Sequence, residues 1–571
     1  MADTQHADVV VIGSGLGGLT TAAYLAAAGK RVVVLEQHDL AGGNSQVFRR
    51  RGYEFDVGLH YLGDCTPSGT IPTVLAGLGI ADRVTFRELD PAGFDTLVFP
   101  TFTFKVPKGW DAYRAAFAER FPEEVAGFDR YGDVMRRIGA EFASLLIGGP
   151  TPTIDAHADM TLADMFDECG FSTAARAVLG HLSGTYGAGP SQASVVIHAL
   201  LITHYVAGAY YPEGGGQVLA ARLVEVIEGL GGEVRTLTRV EQILVEDGRV
   251  VGVRTSGVHS DTEQVIAAPV VVSNADMRRT LLELVGARHL SGDTAGQAER
   301  AEMSLGLVCV YVVVDVDLAD RIPNTNYLLF RGDDMDGWYA ELESGHQPAD
   351  IPFTYLSFAS LKDPGNPNLC PPGHTNFQIM TLAPRGYGAF GVGEGPAHGA
   401  RYRRGEAYRA SKQWYTERLL DNAEQVLGPL REHIVHVECA TPVTQERYTL
   451  STAGTSYGLA HTPAQSARRR PGFRTEIDGL FLVGASTIAL HGIAGVMVGG
   501  VACAGEVLGR PLLAEVFLGT RMIDTDRLPP FDPATDPVDV CRGAALRERR
   551  ASGASDGVSP RGDRRGAAPR R

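Results

Sequence analysis

The sequence predicts an α/β fold: a Rossmann-like nucleotide-binding domain interrupted by an inserted α+β domain. Three observations predict it. A charge-free β-branched run, Val9-Val10-Val11-Ile12, breaks into a glycine turn that opens a helix; the next apolar run closes on an acid; and short apolar strands return after two long excursions. In the turn Gly13-Ser14-Gly15-Leu16-Gly17-Gly18, Gly13 permits the tight bend, Gly15 lets backbone approach a pyrophosphate, and Gly18 brings helix and sheet together. The phosphates then meet the free N–H groups of the helix N-terminus. Small Ala22 allows helix–strand contact and Gly29 supplies a stop. The following strand, Arg31 to Glu36, ends on a carboxylate about twenty residues from the glycines, where it can take both ribose hydroxyls of an adenosine.

After Glu36 and Gln37 come Gly42-Gly43-Asn44, a basic patch Arg49-Arg50-Arg51, and Glu54-Phe55-Asp56-Val57-Gly58-Leu59-His60-Tyr61-Leu62-Gly63. This run resembles the N-terminus of the FAD-dependent phytoene desaturase superfamily, and its Glu-Phe-Asp-x-Gly-x-His-Tyr-x-Gly phrase is most similar to the retinol saturase branch. The resemblance implies an FAD-binding domain of the glutathione reductase and amine oxidase type. It implies that Gly42 and Gly43 adjoin the FAD phosphates and that Asp56, Gly58 and His60 lie near the flavin. Gly17, Gln37 and Asn44 join them as cofactor candidates.

The composition is that of a globular chain, and 571 residues exceed one ordinary core. A formal charge of −15 argues against nucleic-acid binding, which needs surplus Lys and Arg. From Arg542 on, nine Arg stand against three acids among Gly, Ala, Ser and Pro, which predicts a disordered tail. Such a tail allows contact with anionic lipid, and a peripheral membrane contact stays open on that ground. Seven Cys without a C-x-x-C pair suggest reduced thiols in a cytoplasmic setting and no metal site. The longest uncharged stretch, Gly479 to Gly505, is broken by glycines and His491; it predicts strand, loop and buried helix rather than a transmembrane span.

Between residues 66 and 210 the pattern leaves the nucleotide fold. Leu97 to Val106 suggests strands, helices are expected around Trp110 to Arg120 and Val125 to Ile147, and Ser194 to Tyr211 predicts an apolar helix. In the resembled family such helices line a substrate tunnel. The pattern then returns: a helix follows Gly214-Gly215-Gly216, Asp247-Gly248 marks a hairpin, and Val270-Val271-Val272-Ser273-Asn274 resembles the strand beneath the FAD. The resemblance implies Val240 against the adenine and Asn274 at the cofactor. A second excursion carries strands at Leu307 to Val314, Phe353 to Phe358 and Asn376 to Thr381, and a helix from Glu406 to Leu427 closed by Gly428-Pro429. Within it, Ser357 to Pro364 again resembles the family. The expected division is an FAD-binding domain over 1–66, 211–285 and 439–515, a substrate domain over 67–210 and 286–438, and an extension over 516–571, disordered from about 542.

The final block, Thr441 to Tyr448, Tyr457 to Pro463 and Gly479 to Gly500, resembles the C-terminal FAD region of retinol saturases and carotenoid isomerases. It implies cofactor contacts from Gly484, Ala485, Gly492, Gly495 and Val496, with a helix near Gly492 aimed at the flavin. Two departures stand out. Ala485 and Ser486 occupy the place where many relatives carry an Asp for the ribityl chain, and Leu490 to Gly495 lacks the proline-bearing turn favoured by carotene desaturases.

No second strand–G-x-G-x-x-G–helix unit occurs, so a resident nicotinamide domain is not expected and the flavin must exchange electrons with an external donor or acceptor. The resemblance implies hydride transfer between flavin N5 and a C–H or C=C of a lipophilic polyene or isoprenoid, with His60, Tyr61 and His491 as candidate proton carriers. Desaturation and redox-neutral isomerisation remain alternatives within the class. A non-catalytic prenyl-binding protein of the Rab escort type is the alternative outside it; the intact glycine turn with Glu36 argues against that reading.

Overall fold

The computed structural model describes residues 5–258, 260–393, 400–543 and 547. At its centre lies a parallel five-stranded sheet in the order Glu233–Arg235, Val32–Leu35, Val9–Ile12, Val271–Ser273, Leu480–Leu482. Every residue of Val9–Ile12 is buried, because both faces of the strand are covered. Val9 and Val11 face the helices Leu16–Ala27, Gln217–Gly229 and Gly492–Leu508. Val10 and Ile12 face a second sheet, in which Val240, Ile243, Val253 and Ile266 close the other side. That sheet runs Gln5–His6, Ser260–Ala267, Arg249–Gly257, Thr238–Glu246. Its Asp247-Gly248 turn takes positive φ at both residues, +47° and +76°, the geometry that matches strand twist in a two-residue hairpin.

A seven-stranded sheet carries the other half of the molecule, in the order Ile434–Ala440, Leu307–Val314, Thr375–Leu382, Phe353–Ser357, Asn326–Phe330, Asp95–Val98, Thr103–Val106. It is antiparallel except where Asn326–Phe330 runs beside Asp95–Val98. Period-two alternation splits its residues. Val308, Val310, Val312 and Val314 pack with Leu419, Leu420 and Ala423 of the helix Glu406–Leu427, whereas Cys309, Tyr311, Tyr355 and Met380 look toward the main core. The helices Trp110–Arg120, Val125–Leu146, Leu162–Cys169 and Val195–Val206 cover that side.

One expected element is shorter than its sequence suggests. The apolar helix from Ser194 ends at Val206, not Tyr211; Gly208 takes φ +125° and the chain enters the strand Ala209–Pro212, which pairs with Leu62–Gly63 and Phe86–Glu88. Hydrophobicity alone does not separate a buried helix from a buried strand over those residues. Among the described residues no helix is long and apolar enough to cross a membrane. Nearly all of the arginine-rich tail lies outside the described residues; at its start Cys541 is buried, Arg542 reaches Asp39 at 3.4 Å, and Arg547 pairs with Glu228.

Candidate active site

A cavity of about 2150 Å³ lies between the two large sheets and the helical layer. Single-ligand pockets run to roughly 300–1,000 Å³, so this one has room for a dinucleotide and a second long molecule. Gly13, Gly15, Gly17, Glu36, Gln37, Gly42, Gly43, Asn44, Gly58, Val240, Asn274, Gly484, Ala485, Gly492, Gly495 and Val496 all line it, as do His60, Tyr61 and His491. Residues far apart in the chain therefore share one wall.

The glycine turn is built as its spacing requires. Gly13 stands at φ +86°, and a Cβ on Gly18 would fall 2.5 Å from the Gly13 carbonyl. Gly18 is thus buried under the helix rather than in the cavity, in keeping with its packing role. Glu36 braces the turn: its Oε2 accepts from the Ser14 amide at 2.9 Å and the Ser14 hydroxyl at 2.6 Å, and its Oε1 from the His38 amide at 2.8 Å. Two helices end at the cavity without a side-chain cap, Leu16–Ala27 at Gly15 and Gly492–Leu508 at His491. Each presents free N–H groups and a positive dipole end, a fit for pyrophosphate at the first and for an anionic ring edge at the second. The residues present suit an FAD.

Asp56 does not itself line the cavity; its carboxylate accepts the Tyr211 hydroxyl and the Gly216 amide (2.9 Å) behind the wall that Gly58 and His60 join. Burial pushes it up to about 6, against those hydrogen bonds.

His60 and His491 carry no charge near neutrality. Burial pulls His60 down to about 3, with the Lys362 ammonium adding to the effect, and His491 to about 4. The Nε2–H of His491 donates to the Thr185 carbonyl at 2.8 Å, and its ring lies 4.5 Å from that of His461 and 5.0 Å from Tyr457. His198 is a core residue held by Tyr131 (2.7 Å) and Tyr186 (3.2 Å), and His204 accepts from the Gly63 amide at 3.0 Å. Tyr61 differs: its hydroxyl donates to Asp95 Oδ2 at 3.0 Å while its ring stacks on Tyr205 at 4.4 Å. Burial pushes its phenol well up, so it keeps its proton until a basic group takes it.

Sequence reasoning missed Asp95, Asn326 and Lys362, three buried polar residues behind Tyr61, and Arg470, whose guanidinium donates to the Thr487, Gln465 and Ala485 carbonyls. Lys362 ends the short helix Ala359–Lys362 in the Ser357 to Pro364 segment, where its neighbours Ser360 and Asp363 give no local sign that it is buried.

The fold and this cavity define a flavin-dependent oxidoreductase. The model of the flavin containing amine oxidoreductase family matches residues 16–374, more than half of the chain. The chain belongs to that family, on its retinol saturase and phytoene desaturase branch. It is 32% identical over 556 residues to the all-trans-retinol 13,14-reductase of Macaca fascicularis, covering 91% of this chain and 88% of that one. It is 28% identical to the lycopene-forming phytoene desaturase of Pseudescherichia vulneris, over 87% and 98%. Among solved structures, the cyclohexylamine oxidase of Brevibacterium oxydans superposes with a TM-score of 0.57 at 16% identity, over 88% of this chain and 99% of that one, which is a likeness of fold. Family membership implies FAD as cofactor and a lipophilic polyene or isoprenoid as the class of substrate.

Proposed function

We propose that this protein reduces a carbon–carbon double bond of a lipophilic polyene, in the manner of a retinol saturase. One observation carries the reading: the turn suited to a dinucleotide and a wall of Ile197, Leu200, Leu201, Tyr205 and Tyr355 belong to the same cavity. The name of the relative in Macaca fascicularis supports this direction of reaction. In the same proposal Gly13, Gly15, Gly17, Gly42, Gly43 and the N-terminus of Leu16–Ala27 hold the cofactor phosphates. Glu36, Gln37 and Val240 hold its adenosine, and Asn44, Gly58, Asn274, Gly484, Ala485, Gly492, Gly495 and Val496 hold the remainder. When bound in reduced form, FAD supplies a hydride to the alkene.

The chain's own residues orient the substrate, exclude water and supply a proton. Apolar side chains along Val195–Val206 align a long hydrocarbon without fixing it by hydrogen bonds, which suits a conjugated chain. The neutral histidines His60 and His491 shape the wall and accept or donate single hydrogen bonds. Tyr61 holds an O–H at that wall and is the proton carrier that the geometry favours. An external donor reloads the electrons.

Incubating the photoreduced and the oxidised protein with retinoid and carotenoid panels, and weighing the products, tests this. A gain of two hydrogens from the reduced form is expected. A loss of two from the oxidised form would make the protein a desaturase, and an unchanged mass with altered retention an isomerase; either result overturns the proposal.

A further inference from the structure

Behind Tyr61 lies a cation that substrate binding does not call for. Lys362 is 1% exposed, and its ammonium donates to the His60 carbonyl at 2.7 Å, Asn326 Oδ1 at 2.6 Å and Ser357 Oγ at 2.7 Å. These three bonds use all three of its donors, and every acceptor is neutral. Burying a cation is costly unless its charge is answered nearby. The answer comes through Asn326, whose Nδ2 donates to Asp95 Oδ1 at 2.8 Å; Asp95 is fully buried, and its Oδ2 holds the Tyr61 hydroxyl. The ammonium also lies 5.8 Å from the centre of the Tyr61 ring. Four side chains thus form a continuous line from a buried cation to a hydroxyl at the cavity wall.

We propose that Tyr61 is the catalytic proton carrier and that Asp95, Asn326 and Lys362 are positioning residues that load it and stabilise the charge it leaves behind. The proposal rests on the polyene-reductase reading and assigns its proton. The π pair of the alkene forms the new C–H bond to the Tyr61 proton, while the neighbouring carbon receives the hydride. Once Asp95 takes up a proton on Oδ2 the bond to Tyr61 reverses, Asp95 donating and the Tyr61 O–H turning to the cavity; Tyr61 oxygen takes that proton as its own leaves, and the resulting Asp95 carboxylate keeps the Asn326 N–H bond and faces the Lys362 ammonium. Water restores the Asp95 proton between turnovers. In the oxidising direction each transfer runs backwards.

The surroundings leave Asp95 a carboxylate at rest, answering Lys362, and bring its protonation within reach near neutrality. The Nδ1–H of His181 donates to the Val178 carbonyl at 2.8 Å, so its Nε2 is a lone pair; it stands 3.8 Å from Asp95 Oδ2 and has no hydrogen-bond partner among the described residues. The repulsion between these two acceptors eases when Asp95 loses its negative charge, whichever neighbour its proton is turned to. Burial pushes Asp95 up to about 6 and pulls Lys362 down to about 7, despite its attraction to Asp95 and to Asp56 on its other flank. The remaining groups that face the pair are His60, Tyr113, Tyr205 and Tyr355, all neutral near pH 7.

The test places 3-fluorotyrosine at position 61 of the FAD-loaded, full-length protein and follows its fluorine NMR shift with pH in the absence of substrate. A titration step is expected between about pH 5 and 8. It should vanish in Asp95→Asn and move to higher pH in Lys362→Met, since removing the cation makes the carboxylate harder to form. Single-turnover reduction of the polyene found to react should fall by about 100-fold or more in Asp95→Asn and in Tyr61→Phe, with flavin absorbance and photoreduction unchanged. A flat fluorine shift, a step that survives Asp95→Asn, or turnover within about threefold of the unmodified protein in both variants overturns the proposal. The fluorine titration needs no substrate. A protein that reduces no polyene therefore sinks the functional reading and the catalytic role of Tyr61, while a coupled Tyr61–Asp95 titration would remain measured in its own right.

Discussion

Gly18 touches no cavity, yet it sets how near the first helix comes to the sheet. A methyl there meets the Gly13 carbonyl at 2.5 Å and the Asn274 Cβ at 2.9 Å, both on backbone or short side chains that cannot swing aside. Gly18→Ala is therefore expected to cost about 1–3 kcal/mol and to weaken FAD binding through the displaced turn, read by denaturant midpoint and by flavin fluorescence titration. Glu36→Ala removes the acceptor of two hydrogen bonds from Ser14 at the same turn and of one from the His38 amide. Hydrogen bonds to charged groups contribute about 1.5–3 kcal/mol, so FAD affinity should fall about 10- to 100-fold, and unchanged affinity would show that the carboxylate is dispensable. Both positions are legible in the sequence because glycine spacing and a terminal acid act locally. Asp95, Asn326 and Lys362 are not: each looks like an ordinary surface residue until the sheet brings them together.

The helix Gly492–Leu508 shows how an element can serve both packing and ligand. Its N-terminus opens on the cavity, and at Gly500 it crosses the first helix, where a Cβ would lie 2.7 Å from Thr20 Cβ and 2.8 Å from the Gly17 carbonyl. At its far end Gly509 takes φ +66° with open space around it. Gly509→Ala should cost about 1–2 kcal/mol through backbone strain alone and leave FAD binding intact. Gly500→Ala should both lower the thermal midpoint and weaken the cofactor, because it pushes apart the two helices that aim at it. Equal effects of the two changes on FAD affinity would contradict this division. The element itself was legible, since glycine interruptions and His491 distinguish Gly479 to Gly505 from a lipid-spanning run. The helix Glu406–Leu427 was legible to its last residue because Gly428-Pro429 stops it. The Val206 boundary was not, because pairing of Ala209–Pro212 with two distant strands decides it.

Across the molecule, burial leaves many ionisable groups in their neutral forms. His60 and His198 are pulled to about 3, and His181, His204 and His491 to about 4. Depressed histidines favour the folded state above their unfolded value near 6.5, and that contribution is lost as pH falls toward 4. Three carboxyls act the other way: Asp56 and Asp95 rise to about 6 and Glu54 to about 7, so their contribution is present at low pH and fades on the way up. Burial also raises Glu225, Glu228, Asp363 and Glu446 and lowers His436 and His461, so the two sets oppose each other on acidification. The thermal midpoint is expected to vary little from pH 6.5 to 4.5, and a steep change over that range would contradict this balance. The nucleotide-binding half was readable from local pattern. The partner of Asp95–Val98 was not, since no periodicity encodes a register with Asn326–Phe330.

That distant pairing also has a timetable. Asn326 follows Asp95 by 231 positions, and at synthesis rates of ~5–20 residues per second the carboxylate waits roughly 10–50 s on the ribosome before its amide partner exists. Lys362 emerges later still. The strand Leu480–Leu482 and the helix Gly492–Leu508 come after it, so a chain ended between Lys362 and Leu480 carries every residue of the proton line and still lacks the strand and helix that close the chamber over the glycine turn.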